Sequence, residues 1–93
     1  MLVQSFTQLS LLWFRGTFLE ALQQWLRQQR QLKNLSKVSL ANQLGKPTSY
    51  IVKVEQGSHI LEVMEYLEYC HALNVEPSIG LALIEQELRK KIN

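Results

Sequence analysis

Seven bases lie between Arg15 and Lys53, namely Arg15, Arg27, Arg30, Lys33, Lys37, Lys46 and Lys53, against one acid, Glu20. An excess of six positive charges over so short a stretch can hold a polyanion or an acidic partner. The net charge of +2 for the whole 93-residue chain says far less. From Val54 to Leu88 the sign reverses. Glu55, Glu62, Glu65, Glu68, Glu76, Glu85 and Glu87 occur there with no Lys or Arg, and Arg89, Lys90 and Lys91 then close the sequence. Every acid is Glu, because the chain contains no Asp. A basic part is thus joined to an acidic part, and the first is the expected binding surface.

Other chemistries find weaker support. Cys70 and His71, with His59, hold metal-ligand atoms, but adjacent helical residues diverge by about 100° and no second Cys accompanies them. The same divergence rules out a Cys–His nucleophilic pair. No phosphate-cradling Gly loop and no paired-carboxylate site can be placed, so no enzyme, metal or cofactor is expected. Trp25, Tyr50, Tyr66 and Tyr69 could stack on bases, yet their helical spacing makes them core residues. One cysteine cannot form an internal disulfide, which suggests a reducing compartment. The apolar runs fall short of the roughly 18 residues of a membrane span. The opening stretch carries its only charge, Arg15, after its apolar block, so it is not expected to be a secretory signal.

Helices must position the basic residues. A chain this short buries only about 60–65% of its unfolded surface and builds one modest core. Thr17 and Glu20 form a capping box, and Phe18, Leu19, Leu22, Trp25 and Leu26 make an apolar face, predicting a helix over 17–32. Asn34 ends it, and Ser36 caps a helix over 37–44 that stops at Gly45. Pro47 suits the first turn of a third helix over 47–56, with Tyr50, Ile51 and Val54 inward and Gly57 at its end. A fourth helix is predicted over 61–73, its inner side formed by Leu61, Met64, Leu67 and Cys70 or His71, with Asn74 at its end. Pro77 opens a fifth, over 77–91, with Leu81, Ile84 and Leu88 in a stripe. The class is all-α, a five-helix bundle.

Within it, Lys37–Val54 has spacing with mechanical meaning. Two helices crossing at about 90–120° need a small residue where they meet, supplied by Ala41. The turn between them needs a positive φ, supplied by Gly45. Leu40, Leu44, Ile51 and Val54 then bind both helices to one core, leaving the far face of the third in solvent.

The run LSKVSLANQLGKPTSYIVKVEQG (Leu35–Gly57) resembles the helix-turn-helix of the phage Cro/repressor type, the xenobiotic-response-element or XRE family. The likeness extends upstream through LRQQRQLKNLS and downstream through LEVMEYLEYCHALNVEP. It implies a lambda-repressor-like bundle with its helix-turn-helix at about 36–56. It also implies Thr48, Ser49, Val52 and Lys53 against base edges in the major groove. The chemistry agrees in part, since hydroxyls bond several bases, a methyl can meet thymine and Lys53 can donate to guanine. Lys37, Lys46 and Gln56 are expected on phosphates. Arg27, Arg30 and Lys33 either extend that backbone contact or solubilise the first helix. Glu55 is expected to be structural. Family members often carry Gln where Lys37 stands, and Ser or a small aliphatic where Lys46 and Pro47 stand, so base preferences do not transfer.

The second half does not help DNA binding. Leu81, Ile84 and Leu88 serve either the core or a dimer seam. A single small module seldom binds specifically enough alone, which predicts a homodimer on a palindromic operator. Residues 1–16 form an apolar arm before the domain over 17–93, and the arm packs on its own core, exchanges with a second protomer or binds another protein. The leading expectation is a cytoplasmic, nucleoid-associated repressor of a bacterium or phage. The alternative is an antitoxin or other protein-interaction module of the same fold, which holds a partner such as a toxin through the arm or the fifth helix.

Overall fold

The computed structural model describes residues 20–92, so the arm over 1–16 and the Thr17 end of the first helix lie outside the described residues. Five helices follow one another, with no strand among the described residues. They are α1 (20–32), α2 (Lys37–Leu44), α3 (Thr48–Gln56), α4 (Val63–Leu73) and α5 (Pro77–Ile92). The fold is the expected all-α, lambda-repressor-like bundle.

The turns follow their residue chemistry. Ser36 accepts a hydrogen bond from the Ser39 N–H at 3.0 Å and so caps α2. Gly45 leaves α2 at φ 66°, and the Lys46 N–H closes onto the Ala41 carbonyl at 3.0 Å. Asn74 ends α4 at φ 56°, with the Val75 N–H on the Cys70 carbonyl. Two helix starts differ from expectation. Pro47 stands outside the first turn of α3 as its extended cap, φ −69° and ψ 155°, and its carbonyl accepts the Tyr50 N–H. Helix α4 starts at Val63, because Glu62 takes the cap position and the Glu65 carboxylate accepts the Glu62 N–H at 3.1 Å.

The core draws on four helices. Trp25 and Leu26 of α1 meet Leu40 and Ala41 of α2, Ile51 and Val54 of α3, and Tyr66, Tyr69, Cys70 and Leu73 of α4. The inner face of α4 corrects the sequence expectation. Met64 is 65% exposed and Leu67 is also exposed, as is His71, while Leu61 is half-buried. The buried stripe is Tyr66–Tyr69–Cys70–Leu73, rotated from the aliphatic one. Its tyrosines bring large apolar area with a single polar atom each, and that of Tyr69 is buried without a hydrogen-bond partner among the described residues. The Tyr66 hydroxyl satisfies its own by donating to the Pro77 carbonyl at 2.6 Å.

Helix α5 closes against this face at Gly80. A Cβ there would collide with the Tyr66 hydroxyl and lie 2.7 Å from Trp25 Cζ3, so only glycine allows the approach. Leu83 packs against the core beside it. Of the α5 stripe, Ile84 is half-buried, whereas Leu81 is 54% exposed and Leu88 is 39% exposed.

Candidate nucleic-acid interface

Helix α3 has two faces with different duties. Ile51 and Val54 are buried and fix it to the core. Thr48, Ser49, Lys53 and Gln56 are exposed, with Val52 half-buried on the flank. Positions 48, 52 and 56, like 49 and 53, repeat at four residues, so these side chains share one side of the helix. Lys46 is exposed in the turn before α3, and Lys37 is half-buried in the first turn of α2. The outer face therefore joins two hydroxyls, a methyl-bearing flank and an ammonium, with further ammonium groups at the adjoining turns.

Beneath this face the helix is held by a buried ion pair. Arg30 Nε donates to Glu55 Oε2 at 2.6 Å and Nη2 to Oε1 at 3.2 Å, a bidentate arrangement. Arg30 Nη1 also donates to the Leu35 carbonyl at 2.9 Å. The arginine is 8% exposed and the Glu55 side chain 4% exposed. The phosphate contact expected of Arg30 is therefore corrected, since its guanidinium is turned inward and occupied. A sequence signal pointed this way: Leu22, Leu26 and Arg30 recur at four residues, which puts Arg30 on the apolar stripe of α1. The structural reading of Glu55 agrees with its placement. Lys33 stays exposed and donates to the Asn74 carbonyl at 3.3 Å, at the C-terminal end of α4, where a cation complements the helix dipole.

A second polar cluster, which the sequence did not reveal, ties α3 to α4. The Tyr50 hydroxyl donates to Glu65 Oε2 at 2.8 Å, and His59 Nε2 lies 2.9 Å from the same oxygen. The Tyr50 and His59 rings are 5.1 Å apart. The backbone N–H of Glu62, then His59 and Tyr50, hold the Glu65 carboxyl down at about 2. Burial, helped by that carboxylate, pushes the Tyr50 phenol upward, so it stays a donor at neutral pH.

An open groove of about 580 Å³ between α2 and α4 is lined by Gln43, Leu44, Leu67, Glu68, His71 and Ala72. Among the described residues no three His, Cys or acidic side chains come together to hold a metal ion. Cys70 is buried while His71 is exposed, so the adjacent pair points apart, and burial raises the Cys70 thiol. No helix of the described residues is long and apolar enough to cross a membrane.

The helix-turn-helix family model matches residues 26–79, which include the whole α2–turn–α3 unit, all of α4, the later part of α1 and the start of α5. The chain belongs to the XRE-type helix-turn-helix family. Solved structures agree with this XRE membership. An XRE-family like protein from Pseudomonas syringae pv. tomato is similar at 26% identity and TM-score 0.72, over 77% of this chain and 88% of that one. The restriction-modification controller protein C.AhdI from Aeromonas hydrophila is similar at 34% identity and TM-score 0.62, over 67% of this chain and 94% of that one. No curated protein matches the chain in sequence. As an XRE-type chain it is a DNA-binding transcription regulator.

Proposed function

We propose that the protein is a sequence-specific repressor, which binds a palindromic operator as a homodimer and excludes polymerase from an overlapping promoter. The observation that carries this reading is the outer face of α3. It presents Thr48, Ser49 and Lys53 together, while Ile51, Val54 and the Arg30–Glu55 pair keep the helix from turning. In this reading Thr48, Ser49, Val52 and Lys53 meet base edges, and Lys37, Lys46 and Gln56 meet phosphates. Lys33 joins the phosphate contacts when a phosphate displaces its 3.3 Å bond to Asn74. Leu81, Ile84 and Leu88 form the seam with a second copy, supported by the exposure of Leu81 and Leu88. The similarity to a restriction-modification controller supports a regulatory role, and a cytoplasmic location is part of this reading.

Selection of bound duplexes from a random pool, at two salt concentrations, tests this reading. An enriched palindrome is the expected result. A pool left unenriched overturns sequence-specific binding, and a single enriched half-site overturns the dimer. A second reading, an antitoxin that holds a partner protein, is favoured by Val63, Met64 and Leu67, which α4 leaves exposed beside Glu62 and Glu68. Co-purification of a stoichiometric small protein from the native host would support it.

A further inference from the structure

Tyr50 lies between a charged side chain and a pinned polar cluster. The Lys46 ammonium sits over the Tyr50 ring, 5.5 Å from its centroid, within reach of the negative ring face. The ring is itself fixed. Its hydroxyl is anchored on Glu65 at 2.8 Å, and the rings of His59 and Tyr69 lie 5.1 and 6.4 Å away. Glu65 is in turn held by the Glu62 N–H and by His59. Lys46 is anchored at its backbone, with its N–H on the Ala41 carbonyl at 3.0 Å. A lysine at the mouth of the α2–α3 turn would otherwise sample many rotamers and lose that freedom on binding a phosphate. Holding the ammonium in one place beforehand reduces that loss.

We propose that Tyr50 is a positioning residue, which holds the Lys46 ammonium in place to receive a backbone phosphate of DNA. This inference rests on the DNA-binding reading above and adds a side chain that acts through another. Tyr50 contributes no base contact; its aromatic face is the working part. The leucine variant therefore removes the effect, and the phenylalanine variant, whose ring still lies against those of His59 and Tyr69, retains it.

Nuclear magnetic resonance of the free protein tests the contact without DNA. The Lys46 Hε protons should be shifted upfield by the ring in the wild type and in Tyr50→Phe, and should return to ordinary values in Tyr50→Leu. Unshifted protons in the wild type, or a shift that survives Tyr50→Leu, overturn the proposal. Binding to a short mixed-sequence duplex over a range of salt tests the consequence. Tyr50→Leu should weaken binding roughly two- to fivefold. The same variant should lower the slope of log affinity against log salt by up to about 0.9, the loss of one phosphate contact. In the Lys46→Ala background it should change neither quantity. Tyr50→Phe should keep the wild-type slope, which holds the test open even if the leucine variant does not fold. An equal loss with and without Lys46, or loss of the slope in Tyr50→Phe, overturns the proposal. Absence of DNA binding by the wild type overturns the phosphate role, and an intact upfield shift then traces the failure to the DNA reading.

Discussion

The α2–α3 unit and the α4–α5 unit bury their inner faces in the same core but present opposite surfaces. Outside α2 and α3 the side chains are mostly polar or basic, with Val38 the exposed aliphatic exception. Outside α4 and α5 lie Val63, Met64, Leu67, Ile79, Leu81 and Leu88, set among six of the seven acids of the second half. One surface suits a polyanion, which is attracted by dispersed ammonium groups and needs no apolar contact. The other repels phosphate and leaves apolar area open, as a protein-binding surface does. The sign reversal at Val54 thus separates two edges of one bundle that differ in surface chemistry.

The sharpest way to break this comparison is to cut the tie beneath α3. Arg30→Ala leaves the Glu55 carboxylate buried without its partner and should cost about 3–5 kcal/mol in chemical denaturation. A loss within the range of a surface substitution would show that the pair does not anchor the recognition face. Lys53→Ala acts on the α3 surface alone. It should weaken specific binding by about 1–3 kcal/mol and relax sequence choice while the melting temperature stays put. An unchanged affinity for the selected operator would move the base-reading face elsewhere. Gly80→Ala acts on the other unit, since its Cβ must push Tyr66 and Trp25 aside. A stability loss of about 1–3 kcal/mol is expected with wild-type affinity per folded molecule. Affinity falling further than stability would mean the two units are coupled.

Smallest is a proton effect at the junction between the units. Glu65 has its pKa lowered from 4.5 to about 2, so it contributes stability above the higher value and loses it as pH falls through the lower one. In Glu65→Gln the acid limb of a stability–pH profile should flatten between those two values. A profile of unchanged slope would assign the acid sensitivity to other carboxylates.

Local signals made the helix-turn-helix legible and long-range contacts hid the rest. Ser36, Gly45, Asn74 and Pro77 each act within a few residues, and the helices they bound follow closely from sequence. Ala41 could be placed inward by the need for a small residue where two helices cross, and Ile51 and Val54 by their spacing of three on one helix face. Helix α4 misled because two stripes compete on it, and hydropathy prefers Met64 and Leu67 to the tyrosines. The Tyr66 hydroxyl finds its partner in the Pro77 carbonyl, eleven residues away, which spacing within the helix does not reveal. Arg30 misled for the same reason, since Glu55 is twenty-five residues distant and the charge alone suggests solvent. Of the interface, the exposed members of α3 were accessible from spacing, whereas the Lys46–Tyr50–Glu65–His59 arrangement needs the turn after α3 to fold back.

The Arg30 guanidinium touches three pieces of backbone architecture at once: it grows from α1, bonds the Leu35 carbonyl before α2 and grips Glu55 near the end of α3. A helix clamped at that point moves with the bundle and does not tilt on its own. In the proposed operator complex, part of any mismatch would then fall on bending, twisting or narrowing of the double helix, whose stiffness varies with sequence. The protein would accordingly discriminate among operators at base pairs it never contacts, by how readily they deform.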